Sequence, residues 1–194
     1  RTTARKALDE LSREGFIKKY QGKRSQVRER RKSLGILTVK GFSEAVGENM
    51  KTDFLQKPHR TDWSDDIIIP VQKADKNHSC IFFERLRFVG AEPVMLEKNW
   101  FSDAALPGFL KKDFTDGSFF KTLSQQYYIE IIGSKQELRA EFASPSNAKL
   151  LKIEAGTPVL HISVKFSSSS PKLNIYSELY CVTSSYPVAN SYFI

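Results

Sequence analysis

Long apolar runs are missing from this chain. No stretch approaches the ~18 residues that a membrane-spanning helix needs, although 40% of the 194 residues are hydrophobic. The first residues are basic and polar and contain no apolar core segment, so no signal peptide is visible and a cytoplasmic location is expected. Cysteine is scarce: Cys80 and Cys181 are the two present, each inside an apolar, strand-like run. That setting favours reduced core thiols over a bridge, which fits a reducing compartment. Histidine is scarce too. His59 and His78 have no metal-ligating neighbours at useful spacing and read as surface residues, while His161 sits alone in an apolar strand and reads as a satisfied core histidine. No nucleophile elbow and no Gly-rich phosphate loop occurs. No catalytic residue, metal, cofactor or membrane contact is therefore expected.

What the chain does have is charge, unevenly placed. Residues 1–33 hold twelve Lys/Arg against four Asp/Glu, which accounts for the whole net charge of +8, and the remainder is balanced at eighteen of each sign. A basic end joined to a neutral body suggests a nucleic-acid contact at one end and a core or sensor at the other. A solvated basic tail would give the same asymmetry.

The most informative stretch is Ile81 to Trp100. Ile81 to Val89 is β-branched and aromatic, Gly90-Ala91-Glu92-Pro93 carries turn chemistry, and Val94 to Trp100 is extended again, a hairpin pattern. Period 2 puts Arg85 and Arg87 on one face of the first strand. Two guanidiniums about 7 Å apart can both reach a single phosphate or carboxylate. Glu97 on the returning strand can hold a second polar end of the same ligand. The same spacing also suits a cross-strand ion pair on a solvated sheet face.

The run E-R-L-R-F-V-G-A-E-P-V-x-L-E-K resembles the central hairpin of the UTRA domain. That domain is the effector-binding part of HutC-type regulators in the bacterial GntR family, where the two arginines and the distal glutamate line the ligand site. The resemblance extends along the chain. Ala4, Ala7, Leu8 and Leu11 make a helical stripe closed by Gly15. Phe16 to Tyr20 and Ser25 to Val27 then flank the turn Gln21-Gly22-Lys23-Arg24, as in the second half of a winged helix-turn-helix. R-T-T-A-R-K-A-L-D-E-L-x-R-E-G-F-I resembles the GntR recognition helix. It implies that Arg1, Thr2, Thr3 and Arg5 face operator DNA, with Lys6 near phosphate and Gly22 and Lys23 in the wing, where Arg24 replaces the family's second glycine. Residue 1 already lies inside this helix, so the chain reads as a truncated piece whose first 33 residues are expected to fold poorly and to bind DNA weakly.

Beyond a charged linker at residues 28–33, Leu34 to Val39 reads as a strand, and Ser43 as a helix N-cap with free N–H groups suited to an anion. In UTRA domains a Phe-Ser/Thr-Glu loop closes over the ligand here, which implies Phe42 and Ser43. Met50 to Gln56 reads as extended, Lys57 to Asp66 as a polar loop and Ile67 to Val71 as a short strand; residues 70–80 resist assignment. Ser118, preceding Phe119 to Leu123, is a second N-cap and a natural phosphate site. The family's Gly-Ser-Leu-Tyr motif falls on it, with Phe120 at the tyrosine position. Tyr127 to Ile132 and Glu137 to Phe142 read as strands, and Ser144-Pro145 starts a helix. S-x-x-x-A-K-L-L-K-I-x-A-G-T-P-V-L resembles the UTRA helix-to-strand signature, a packing element. Val159 to Phe166 and Leu173 to Val182 complete the strands. Ile175 stands where the family usually carries a glutamate, and Cys181 to Ser185 lacks its Arg-Gly-Asp-like stretch.

The expected architecture is α+β: a mostly antiparallel sheet of about six strands with short helices, similar to chorismate lyase. A winged-helix remnant (1–27) and linker (28–33) precede the effector-binding and dimerisation domain (34–194). The resemblance implies a homodimeric transcription regulator that binds double-stranded operator DNA and senses a small anionic, phosphorylated sugar-like effector at Phe42, Ser43, Arg85, Arg87, Glu97 and Ser118. Two alternatives remain: an enzyme acting on a carboxylated metabolite, and a dimerisation module that no longer responds to ligand.

Overall fold

The computed structural model describes residues 50–184 and 186–188, together with residues 6–8, 17–18 and 26–27. Residues 6–8, including Lys6, are helical and exposed. β1 (Ile17–Lys18) and β2 (Gln26–Val27) pair antiparallel, Ile17 opposite Val27, which is the hairpin the wing pattern implies. Arg1, Thr2, Thr3, Arg5, Gly22, Lys23, Phe42 and Ser43, and the strand expected at Leu34 to Val39, lie outside the described residues.

The body is built on β3 (Met50–Thr61), the short helix α1 (Lys73–Lys76), β4 (Cys80–Val89), β5 (Glu92–Ser102), α2 (Phe119–Tyr127), β6 (Ile131–Phe142), α3 (Pro145–Leu151), β7 (Pro158–Ser168) and β8 (Asn174–Cys181). Its six strands form one sheet in the order β3-β4-β5-β8-β7-β6, every neighbouring pair antiparallel. The expected α+β sheet of about six strands is therefore observed. The β4–β5 hairpin closes through Gly90-Ala91, with Val89 opposite Glu92 and Gly90 at φ 61°, a backbone angle that suits glycine.

Central strands are covered on both faces, so both alternating sets of side chains are apolar. On one face Ile81, Phe83, Phe101, Ile162, Ile175 and Leu179 pack under Phe109, Phe119 and Leu123 of the segment that ends in α2. On the other, Leu86, Leu96 and Val159 receive Ala148 and Leu151 of α3, and Trp63 and Ile67 pack on Cys80, Trp100 and Tyr176. Both cysteines are free and buried, as their apolar settings imply.

Four local expectations need correction. The polar stretch from Lys57 is not a loop up to Asp66, because β3 runs on to Thr61. Pro58 is tolerated because β3 is an edge strand, and the register shifts on either side of Gln56 absorb the irregularity. Ile67 to Val71 forms no strand. Ile67 and Ile69 are buried, but the Ile68 N–H donates to the Glu178 carboxylate instead of to a neighbouring strand. Tyr127 is the last residue of α2, not the start of a strand. Tyr128 caps it at φ 56°, and the Tyr128 and Ile129 N–H groups turn back to Ser124 and Leu123 carbonyls. The strand expected from Glu137 instead begins at Ile131 and runs twelve residues, its shift at Gly133 absorbed as a bulge.

The unassigned stretch before Cys80 contains α1, whose Asp75 is buried and accepts hydrogen bonds from the Tyr176 hydroxyl at 2.7 Å and the Asn174 amide at 3.1 Å. Two expected helix starts are observed. The Ser118 and Ser144 side chains accept from the N–H groups of Lys121 and Asn147.

Candidate functional site: a buried arginine pair

Strand alternation delivers Arg85 and Arg87 to the α2 face of β4, between Phe83 and Val89. The hairpin register sets Arg85 directly opposite Glu97 and Arg87 opposite Met95. The arginines do converge on one carboxylate, and it is the protein's own. Arg85 Nη2 donates to Glu97 Oε1 at 2.8 Å, and Arg87 Nε donates to Oε2 at 2.6 Å. This is a cross-strand ion cluster, but not on a solvated face: Arg85 is 1% exposed and Glu97 8%.

Further partners complete the network. Asn99 Nδ2 donates to Glu97 Oε1 at 3.0 Å, and the Ser177 hydroxyl donates to Asn99 Oδ1 at 2.6 Å. Arg87 Nη1 reaches Thr52 Oγ1 at 3.4 Å, and Arg85 Nη1 reaches the Gly117 carbonyl at 3.3 Å. The last bond ties the guanidinium to the turn that carries Ser118, so Arg85, Arg87, Glu97 and Ser118 form one neighbourhood. Within it the Ser118 hydroxyl caps α2 and the Lys121 ammonium pairs with Asp116. Sequence reasoning missed Asn99, Ser177 and Thr52. The signal for Asn99 was available: it sits two residues beyond Glu97, on the same strand face. Thr52 and Ser177 depend on cross-strand registers that no local pattern reveals.

Arg85 also lies among aromatic rings. Its guanidinium carbon is 4.8 Å from the Phe83 ring centroid, 5.5 Å from Phe114 and 5.9 Å from Phe54, close enough for cation–π attraction. Among the described residues its Nε is buried without a hydrogen-bond partner. Burial, together with the neighbouring Arg87 charge, lowers the Arg85 guanidinium to about 10, against the pull of Glu97. Burial by itself would raise the Glu97 carboxyl, but the two guanidiniums outweigh it and hold the group at about 2. Glu97 is thus a carboxylate that both buried guanidiniums contact, and among the described residues Arg85 Nε is a buried donor without a partner.

Ile175, at the position where the resemblance leads one to expect a glutamate, is fully buried in the apolar core on this same face. His161 is not alone. It lies on the opposite face of the sheet, buried, with Nε2 2.6 Å from Glu178 Oε2 and its ring stacked on Tyr180. Glu178 also accepts from the Ser163 hydroxyl and the Ile68 N–H, which makes it a satisfied structural carboxylate. No group of His, Cys, Asp and Glu among the described residues is arranged to hold a metal ion. No helix among them is long and apolar enough to cross a membrane.

Comparison with known proteins places these features in a wider group. The UTRA domain model matches residues 63–187. The chain is 24% identical over 187 residues to a probable fructoselysine utilization operon transcriptional repressor of Shigella flexneri, covering 93% of this chain and 74% of that protein. It is 25% identical over 167 residues to the histidine utilization repressor of Pseudomonas putida, covering 84% and 65%. Among solved structures, the possible transcriptional regulator YydK of Bacillus subtilis superposes with a TM-score of 0.69 at 16% identity, covering 98% of this chain and 82% of that one. That last similarity is one of fold.

Proposed function

We propose, from the premise that this chain belongs to the UTRA domain family, that it senses a small anion and passes the signal to a DNA-binding head in a bacterial transcription regulator. The observation that carries the reading is Arg85: fully buried, beside a second guanidinium, with Nε unpartnered. Arg85 shares Glu97 with Arg87 and keeps a spare buried donor, which an incoming anion could engage. A phosphate or carboxylate entering beside Glu97 would engage Arg85 and Arg87 from the α2 side, with the Gly117–Ser118 turn as the adjoining wall. Phe42 and Ser43 belong to the same proposed set through the family resemblance. Arg1, Thr2, Thr3, Arg5, Lys6, Gly22 and Lys23 would contact operator DNA in a homodimer reading two half-sites. The anion would act through different affinities for two arrangements of the dimer. The two relatives carry the names of a probable transcriptional repressor and of a histidine utilization repressor, which favours a regulator over a chorismate lyase-like enzyme.

A second reading has its own observation. The Phe54, Phe83 and Phe114 rings packed around Arg85 are what a ligand-blind dimerisation module would show, its site filled by the protein's own side chains. A thermal-shift screen of phosphorylated sugars, other anionic metabolites and inorganic phosphate separates the two. An anion that raises the melting temperature of the unsubstituted protein, but not of Arg85→Ala or Arg87→Ala, supports the sensor. Equal responses in all three proteins, or no response to any anion, would leave the dimerisation module.

A further inference from the structure

Residues 62–78 form a strap that packs on the face of the sheet opposite the arginine pair. Among the described residues no backbone-to-backbone hydrogen bond joins this strap to a strand. Side chains of β8 fasten it instead, because alternation turns Asn174, Tyr176 and Glu178 to this face. Asn174 and the Tyr176 hydroxyl hold α1 through Asp75, and the Tyr176 hydroxyl also accepts from the Gln72 N–H at 3.0 Å. Glu178 Oε1 accepts from the Ile68 N–H at 2.9 Å. Beneath the strap lie Cys80, Trp100 and Tyr176, with Ile67 and Trp63 packed on them.

Glu178 is 1% exposed, and its other oxygen accepts from the Ser163 hydroxyl and meets His161 Nε2, both at 2.6 Å. Of these three partners only His161 can bring a positive charge. Lys98 stands opposite Glu178 in the strand register, but among the described residues the ion-pair partner of Glu178 is His161. His161 is itself buried between two carboxylates, with Nδ1 3.2 Å from Glu141 Oε2 though without the alignment of a hydrogen bond. Tyr180 stacks on its ring, and Arg139, opposite it on β6, contacts Glu137 at 3.4 Å. The strap brings Asp66 near Tyr180, and α3 presents apolar Ala148 and Leu151 to this face. Burial opposes the imidazolium, but the Glu178 and Glu141 carboxylates outweigh it and raise the group above its ordinary 6.5.

Once the imidazolium loses its proton, Glu178 keeps its charge under the strap with neutral donors alone. A buried charge without a counter-charge is strongly unfavourable. The strap is the cover that leaves no sheet ladder broken, so lifting it is the least costly way to bring water to the carboxylate. We propose that Glu178 is a charge-sensitive latch: while His161 is protonated the carboxylate holds Ile68 and the strap stays seated, and when His161 loses its proton the strap lifts from the sheet. The Tyr176 fastening does not titrate over the same range, because burial raises that hydroxyl above its ordinary 10. The arginine pair lies on the other face and takes no part in the latch.

Cys80 lies under the strap and Cys181 in the core of the other face. Labelling by iodoacetamide, with the modified cysteine located by mass spectrometry, therefore reads strap opening and separates it from unfolding. Glu178→Gln keeps an acceptor for the Ile68 N–H without a charge and serves as the reference at each pH. The unsubstituted chain should label at Cys80 as slowly as this reference at about pH 6, and at least about threefold faster at about pH 9. His161→Gln, uncharged throughout, should label at Cys80 at least about threefold faster than the reference already at about pH 6. If that variant unfolds, both of its cysteines label and the other two proteins decide. Emission from Trp63 and Trp100, the two tryptophans of the chain, should move to the red between the same pH values in the unsubstituted chain, which reads the latch without any substitution. Cys80 labelling that follows Glu178→Gln at every pH, a folded His161→Gln as closed as the reference, Cys80 and Cys181 opening together in the unsubstituted chain, or an emission maximum that does not move would each overturn the latch.

Discussion

Replacing Glu97 by glutamine keeps the shape of the side chain and removes the charge that the two buried guanidiniums share. The effect can be sized from the site itself. A carboxyl held at about 2 against an ordinary 4.5 contributes about 3 kcal/mol of stability at neutral pH. Removing one partner of a buried ion pair costs about 3–5 kcal/mol in general, because the remaining charge stays buried without compensation. A domain of this size loses about 2–4 °C of Tm per kcal/mol. Glu97→Gln should therefore melt about 10 °C below the unsubstituted protein in calorimetry at neutral pH. Inorganic phosphate should recover part of that loss and shift the variant more than the parent, because an anion can take the place of the missing carboxylate. The acid side gives the sign. A carboxyl held below its unfolded value supplies stability that is present above about pH 4.5 and fades as pH falls toward 2. The gap between the two proteins should shrink over that window. A variant that melts within about 2 °C of the parent at neutral pH, or a gap that persists undiminished at about pH 3, would refute the argument that Glu97 is the counter-ion of the arginine pair.

Two further outcomes can be checked by the same melts. Burial by itself would lower the His161 imidazolium, but the Glu178 hydrogen bond and the Glu141 charge outweigh it and raise the group above its ordinary 6.5. Its stabilisation is therefore complete below that value and lost as pH rises through the raised one. The parent should lose stability as pH rises from about 6.5 through the raised value, His161→Gln should flatten that slope, and equal slopes would contradict the buried charge pair. Ser144→Ala removes the side chain that accepts from the Asn147 N–H at 3.2 Å at the start of α3, at a cost of about 1 kcal/mol. An unchanged Tm would show that Pro145 alone holds the helix start.

The central hairpin was legible because two strands with strong alternation flank a glycine turn, but the turn alone does not bring Arg85 opposite Glu97: that needs the one-residue register shift between Arg87 and Phe88. The same alternation told nothing about burial. Arg85 and Glu97 look like a solvated pair in sequence, and the pair is removed from water by neighbours outside the hairpin, Phe54 and Phe114 among them. Ser177 was invisible as a site residue because a polar side chain on a buried strand face gives no local signal until its cross-strand partner, Asn99, is known. Where sequence reasoning misplaced elements, tertiary context overrode propensity. Aromatic Tyr127 and Tyr128 suggested a strand, but a left-handed cap closes the helix there. Polarity made Lys57 to Asp66 read as a loop, but the strand runs on to Thr61, with Pro58 tolerated at the sheet edge. The apolar run at Ile67 to Ile69 is buried as a covering segment whose backbone donor meets a side chain, an arrangement that periodicity cannot express.

The claim that binds these observations together is that Arg85 and Arg87 form an anion site on the α2 face of the sheet. A calorimetric titration with inorganic phosphate, on the unsubstituted chain and on Arg87→Ala, addresses it without knowledge of the natural effector. The account predicts saturable binding at one site per chain, weakened by about tenfold or more in the variant, as expected for loss of one charge-assisted contact. Heats that do not saturate, or identical affinities in the two proteins, would contradict it.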